Sequence, residues 1–511
     1  MQYGLGEQRS DCKVYHRLFG TGTVLDTRRG GSEVQVRFSK FAMWLSMKEL
    51  EVLVDGDGPP VAVAVPVAAE SAARTAAAEA PLANAEGPAA LTVRHLVQEP
   101  PKKKHPVERA HLDLPAPFEV GPLRNRRMIE ALRLGLVVPE DIELFTFHRD
   151  DELQEFESGL VDSQERGGAV RVIEGDYGTG KSHFLEYVKT MALKRGFLVL
   201  RTELDGFEIQ PNRPKRIYRS LVDSIATPNN GEVSLRNLID EAAQRKELFD
   251  KYTKWRTGHP YLGPAMKMAR IKALGVDGIT WGDWIEGDPM VMHEVRGQVG
   301  YLPALYDFYK AGNIYANIIS GIGHLARDMG YRGTVVMIDE AESLCGLQGY
   351  RKLTADDFFK GLILVALGRA HSPFLEETLI RTARRPVPHV YQDDAGIFFI
   401  MAFTPRFLTP DVIKKLPPDW ILSLSGFDYE SVSHLTGRLW EIYRHAYIMP
   451  PGIVDLPLDR LPRVLFQQLQ KGYLTLRQVI KMLVETYDMI RLYPDRGISG
   501  TIDELIRNLP V

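Results

Sequence analysis

The chain has 511 residues, of which 44% are hydrophobic and 25% charged, with a formal net charge of −3. That length exceeds one hydrophobic core, so two or three domains of ordinary globular composition are expected. No global basic excess points to nucleic acid, the two cysteines (Cys12 and Cys345) make neither a disulfide framework nor a zinc site and suit a reducing cytoplasm, and no apolar run is long enough to span a bilayer.

Residues 1–54 read as a small β unit. Val34, Val36 and Phe38 alternate as a strand does, and Gly30-Gly31 is a hairpin signal. A strongly bent small barrel is predicted. The segment Val14-x-His16-x-x-Phe19-Gly20-x-Gly22-x-Val24 resembles the Tudor-like barrels of UvrD-type helicases and CarD-type transcription factors. That resemblance implies contact with RNA polymerase, another protein or nucleic acid. Phe19 and Val24 equally suit barrel core, and His16 suits a turn better than a metal, having no second ligand at useful spacing. Residues 55–115 are rich in Ala, Val, Pro and Glu, with almost no aromatic residues, and predict a mobile linker. Lys102-Lys103-Lys104 inside it reads first as a solvated charge cluster.

Helical periodicity begins at Asn125, with Met128, Ile129, Leu132 and Leu134. Phe147-His148-Arg149-Asp150-Asp151-Glu152-Leu153 follows. Ala169–Glu174 then predicts a strand, and Phe184, Leu185, Val188 and Met191 predict a helix. Between them lies Gly175-Asp176-Tyr177-Gly178-Thr179-Gly180-Lys181-Ser182, the G-x-x-x-x-G-K-[ST] pattern of a phosphate-binding loop. Glycines let the backbone curl so that its N–H groups face phosphate oxygens, and the helix presents its positive end to the anion. Lys181 would reach the β/γ-phosphates and Ser182 would hold Mg²⁺. His183, next in the helix, joins the candidate nucleotide-binding residues.

Phe197–Arg201 predicts the next strand, and 157 residues separate Lys181 from Asp339. A mostly helical insertion over about 206–312 is therefore expected, carrying Trp255, Trp281 and Trp284. Residues 313–326 predict an amphipathic helix. Thr334–Asp339 then reads as a buried strand ending in Asp339-Glu340. Asp339 would hold Mg²⁺ through water, and Glu340 would polarise the attacking water. Alone, such a pair could simply begin a helix; beside the phosphate loop it favours ATP hydrolysis. Ile397–Phe403 is another apolar strand, ending at Thr404-Pro405, and Trp420–Leu424 is a candidate last strand. From Tyr429 the chain reads all-helical, with stripes Val432, Leu435, Leu439, Ile442 and Leu476, Ile480, Leu483, Tyr487, Ile490. Thr475–Gln478 opens the second as a capping box.

The motifs as a set, Arg126-Arg127 to Gly135, Glu174 to His183, Gly330 to Gly333 with Asp339 to Ser343, and Leu474 to Ile480, resemble the ATP-binding proteins of BREX-type bacterial phage-defence systems. The likeness covers residues 123–488. It implies an α/β AAA+ ATPase of the initiator branch, with a core at 116–428 and a helical lid at 429–511. The Arg149 segment is similar to the G-R-x-x-E-L motif that packs beside the nucleotide, with His148 in place of glycine. Thr404 corresponds to a sensor that places the attacking water, and Arg477 to a lid arginine reaching the γ-phosphate. The resemblance further implies a homo-oligomer that borrows an arginine in trans, Arg406, Arg384 or Arg385. It implies DNA, met directly or through a helicase, nuclease or methyltransferase. Two other readings stay open: a non-hydrolysing ATP switch, and a transcription or repair adaptor working through residues 1–54.

Overall fold

The computed structural model describes residues 13–16, 20–28, 33–37, 42–46 and 51–52, and, from 121 to 508, all but 137–138, 147–148, 229–230, 274–278, 289–301, 406–407, 425, 452 and 454–459. It divides into two compact units, residues 1–90 and 91–511. The first is an antiparallel sheet of β1 (Lys13–His16), β2 (Gly20–Arg28), β3 (Glu33–Arg37), β4 (Ala42–Ser46) and β5 (Glu51–Val52), in the order β4-β3-β2-β1-β5. Arg28 pairs with Glu33, and the Gly30-Gly31 pair lies outside the described residues. A register shift between Val24 and Asp26 bends β2. Phe19, Phe38, the linker and its lysine run lie outside the described residues.

The second unit is built on a seven-stranded sheet of β6 (Gly168–Glu174), β7 (Leu198–Glu203), β8 (Ala226–Thr227), β9 (Gly231–Glu232), β10 (Thr334–Asp339), β11 (Ile397–Phe403) and β12 (Ile421–Ser423). Its order is β12-β6-β11-β10-β7-β8-β9, with the first five parallel. Strand residues alternate between two cores. Val335, Met337, Phe398 and Ile400 face helices Asp150–Glu165 and Lys181–Lys194, whose Phe156, Leu160, Phe184 and Val188 cover them. Val336, Ile338, Phe399 and Met401 face the other way, toward helices Gly312–Met329 and Gly349–His371. Both faces are covered, which is why β10 and β11 read as unbroken apolar runs.

Placing β11 between β6 and β10 has a direct consequence. The strands share a register in which Asp339 lies opposite Glu203, and Phe403 opposite Glu174. The phosphate loop, Thr404 and Asp339-Glu340 therefore emerge side by side at the carboxyl ends of the central strands, where ligands bind in open parallel sheets.

Helix Gly312–Met329 is not amphipathic, contrary to expectation. It is buried on every side from Gly312 to Gly323, because helix Gly349–His371 packs on one side and helix Pro214–Asp223 on another. The insertion is mainly helical, and it buries Trp281 and Trp284 while leaving Trp255 85% exposed. The C-terminal helices Tyr429–Ala446, Arg460–Gln470, Leu476–Leu492 and Gly497–Asn508 form a separate core. The early helix Pro122–Leu134 joins that core through Met128, Ile129 and Leu132. Leu134 is exposed, because the helix ends there on a left-handed Gly135. Among the described residues no helix is long and apolar enough to cross a membrane.

Candidate functional site

The loop after β6 curls as its glycines allow. Gly178 and Gly180 sit at φ +89° and +90°, conformations that side chains rarely adopt. A Cβ on Gly175 would lie 2.7 Å from Thr179 Oγ1, which itself donates to Asp176 O at 2.9 Å. The next helix begins at Lys181, and its first backbone bond runs from Phe184 N–H to Gly180 O at 2.8 Å. The N–H groups of Lys181, Ser182 and His183 precede that bond and point out of the helix start, ready for an anion. Tyr177, on the loop tip, is exposed.

Lys181 is buried, and its ammonium donates to Gly175 O at 2.8 Å, Asp176 O at 3.3 Å and Thr404 Oγ1 at 2.8 Å. Ser182 Oγ donates to Asp339 Oδ2 at 3.1 Å. Asp339 is fully buried, and the Arg201 guanidinium lies 3.6 Å from the same oxygen. Glu340 leaves the strand at φ +57°, a strained turn that aims its side chain into the cavity. Burial, then the hydrogen bond and charge of Glu342, then the charge of Asp339, push the Glu340 carboxyl up to about 7. Burial works to raise Glu342 as well. Its hydrogen bonds with Glu340, its own backbone N–H and the Thr404 N–H outweigh burial and hold it below the usual range. Thr404 N–H donates to Glu342 Oε2 at 3.1 Å. Glu340, Glu342, Thr404 and Lys181 thus form one hydrogen-bonded cluster.

A cavity of about 220 Å³ opens above this cluster. Its floor is the phosphate loop, and its apolar wall includes Leu132, Leu435, Leu439 and Ile480 from the helical core. Arg149, at the start of helix Asp150–Glu165, donates to Thr179 O at 3.1 Å and pairs with Glu152 at 2.8 Å. Its guanidinium stands 5.5 Å from the centre of the Phe427 ring. His183 Nε2 lies 2.8 Å from Thr146 Oγ1, whose own proton goes to Ile142 O. The imidazole therefore donates from Nε2. Burial, helped by the Arg149 charge, lowers it to about 4, so it is neutral. Arg477 lines the cavity from the first turn of helix Leu476–Leu492, behind the capping box that Thr475 and Gln478 form. Its Cγ and Cδ lie where only Gly135 leaves room.

Of the arginines named for action in trans, Arg384 is exposed beside Tyr306, and Arg385 is half-buried over Tyr261. Arg406 and His148 lie outside the described residues. Sequence reasoning missed Glu342, Arg201 and Phe427. Glu342 carried a signal, standing three residues after Asp339 in the same acidic run. Arg201 is the one charged residue in the apolar first part of β7, which was also legible. Nothing local marks Phe427.

The family described as BREX system ATP-binding protein BrxC/D matches residues 120–247 and 281–505. No curated protein sequence matches the chain. Solved structures are distant. The Drosophila ORC bound to DNA is 11% identical over 80% of this chain and 70% of that chain, with a TM-score of 0.34. The Drosophila ORC bound to AT-rich DNA and Cdc6 is 10% identical over 82% of this chain and 52% of that chain, with a TM-score of 0.30. Scores that low carry no argument. The family match does, because it spans most of the chain and takes in the phosphate loop, the acidic strand and the helical core. The chain belongs to the BREX system ATP-binding protein BrxC/D family.

Proposed function

We propose that the chain is a Mg²⁺-dependent ATPase that works in a DNA-directed phage-defence assembly. The observation that carries the reading is the meeting of Ser182 and Asp339 at 3.1 Å, beside Glu340 and beneath the phosphate-loop cavity. A hydroxyl and a carboxylate are hard oxygen donors and suit Mg²⁺. Bound there, the ion would neutralise charge on the phosphates. The helix start and Lys181 hold the β/γ-phosphates, and the leucine-rich wall takes the base. Glu340 accepts the proton of the attacking water, Thr404 orients that water, and Arg477 reaches the γ-phosphate from the helical core.

The surroundings follow from the same reading. A neighbouring copy supplies an arginine in trans, and exposed Arg384 is the accessible one among the described candidates. Residues 1–54 recruit a protein partner, a helicase, nuclease, methyltransferase or RNA polymerase, on the strength of their barrel-like sequence pattern. On this reading residues 55–115 are a linker, 116–428 the ATPase core and 429–511 the helical lid, with the early helix Pro122–Leu134 packed on the lid.

The test is a pair of variants. Lys181→Ala should lose ATP binding. Glu340→Gln should keep it and slow turnover by about 10²–10⁴-fold. Wild-type turnover by Glu340→Gln would remove Glu340 as the base.

A further inference from the structure

Lys254, Trp255, Arg256 and Thr257 form an exposed turn between helices Lys246–Thr253 and Leu262–Ala273. Trp255 is 85% exposed, whereas Trp281, Trp284 and Trp440 are buried. The turn stands between the two segments that the family match covers.

This turn is firmly built. Gly258 N–H donates to Lys254 O at 2.8 Å, and His259 N–H to Tyr252 O at 3.0 Å. Tyr391 Oη donates to Thr257 O at 3.1 Å. Beneath it, buried His259 accepts the N–H groups of Tyr261 and Leu262 on Nδ1 and donates from Nε2 to Asn317 O at 3.0 Å. A side chain at Gly258 would collide with the Tyr252 and Lys254 backbone. Arg256 is held at φ +69°, where glycine would sit without strain. The chain therefore carries an arginine at a strained position beside a fully presented indole.

The chemistry around the ring selects its partner. Lys254 and Arg256 flank it, and among the described residues neither forms an ion pair. Lys251 is engaged by Asp328, and Asp250 is the carboxylate in the adjoining groove. A protein interface needs a contiguous apolar core with the charges at its rim. Here one planar ring stands alone among polar groups. A single aromatic face with cations on either side matches a stacked base and its flanking phosphates.

We infer that the Lys254–Thr257 turn binds single-stranded nucleic acid, with a base stacked on Trp255 and phosphates held by Lys254 and Arg256. This deepens the DNA-directed part of the proposed function and is independent of the ATPase assignment. The probe is a twenty-residue oligo(dT), titrated into the full chain while tryptophan fluorescence is followed. Wild type should show saturable quenching that is absent in Trp255→Leu, and Trp255→Leu should bind about 5- to 100-fold more weakly by anisotropy. Lys254→Ala and Arg256→Ala should each lower the salt slope of log affinity by about 0.7. ATP turnover of all three variants should equal wild type, so failure here is distinguishable from failure of the Glu340 test. Equal oligo(dT) affinity for wild type and Trp255→Leu overturns the inference, as does a wild type that does not bind. Trp255-dependent retention of a protein, with no oligo(dT) binding, overturns it in favour of a protein surface.

Discussion

Thr404→Val isolates one oxygen atom at the centre of the site. Valine keeps the shape and the backbone N–H that donates to Glu342, and removes only Oγ1, which accepts a Lys181 proton at 2.8 Å and also hydrogen-bonds Glu342. Lys181 has three protons, and they go to Gly175 O, Asp176 O and Thr404 Oγ1. A phosphate that Lys181 reaches must take over one of them. In the variant, one proton of a buried ammonium has no protein acceptor before the phosphate arrives, so the exchange becomes easier. A hydrogen bond to a charged group contributes about 1.5–3 kcal/mol, or about 10- to 150-fold in an equilibrium constant. ATP should therefore bind about tenfold more tightly to Thr404→Val, at the lower end because the two carbonyls remain. On the proposed mechanism, in which Thr404 orients the water, turnover should fall by about 100-fold. Equilibrium binding of a fluorescent ATP analogue and single-turnover hydrolysis measure the two effects separately. Weaker binding would mean that the Lys181–Thr404 bond is not the one exchanged, and unchanged turnover would take Thr404 out of the reacting site.

Gly135→Ala places a Cβ 2.9 Å from Arg477 Cγ and Cδ at a residue with φ +74°. It should lower stability by about 1–2 kcal/mol and cut turnover about tenfold by displacing Arg477; an equal cut in an Arg477→Ala background would show that Arg477 is not the intermediary. Acid should unfold the protein through its buried imidazoles. Burial takes His183 and His389 down to about 4 and His259 to about 3. Below about pH 6.5 the unfolded chain binds protons that the folded one refuses, so stability is complete above that pH and falls as pH drops toward 4. Each histidine contributes about 1.4 kcal/mol per pH unit, about 4 kcal/mol per unit for the three between pH 5.5 and 4.5. A flat Tm between pH 7 and 4.5 would refute this.

The strands that carry chemistry were legible because each is an apolar run ending in a polar residue, which is how a doubly covered parallel strand must read. Lys181, Ser182, Asp339 and Glu340 were found by spacing, and Thr404 by its place at a strand end. What stayed hidden depends on who packs against whom. Periodicity gives residues 313–326 an amphipathic helix, whereas in the structure the polar Asn313, Asn317 and Ser320 lie on its buried sides. All three are buried, and the asparagines donate to backbone carbonyls of Arg385, Val387 and Pro388 while Ser320 Oγ accepts the Tyr391 N–H. Glu342 was read as part of a motif. Its bond to the backbone of Thr404 joins two strand ends that lie 62 residues apart in sequence.

The cavity lies between two hydrophobic cores, and the order of the chain explains how they are joined. The sheet-side core takes Ile142, Phe156 and Leu424, and the helical core takes Leu144, Phe145 and the packed ring of Phe427. The chain thus alternates between the two cores from Leu132 through Ile142 and Phe145 to Phe156, and passes between them again from Leu424 to Phe427. Side chains in both connections touch the phosphate loop. In the first, Thr146 accepts from His183, and Arg149 donates to Thr179 O. At the second, Phe427 lies under the Arg149 guanidinium and within 3.8 Å of a Cβ built on Gly180. Thr179, Gly180 and His183 of the loop thus touch both connections. Arg477 and Gly135 face the same cavity from the helical side. On the proposed function, a phosphate bound at the loop would meet both connections through contacts already in place.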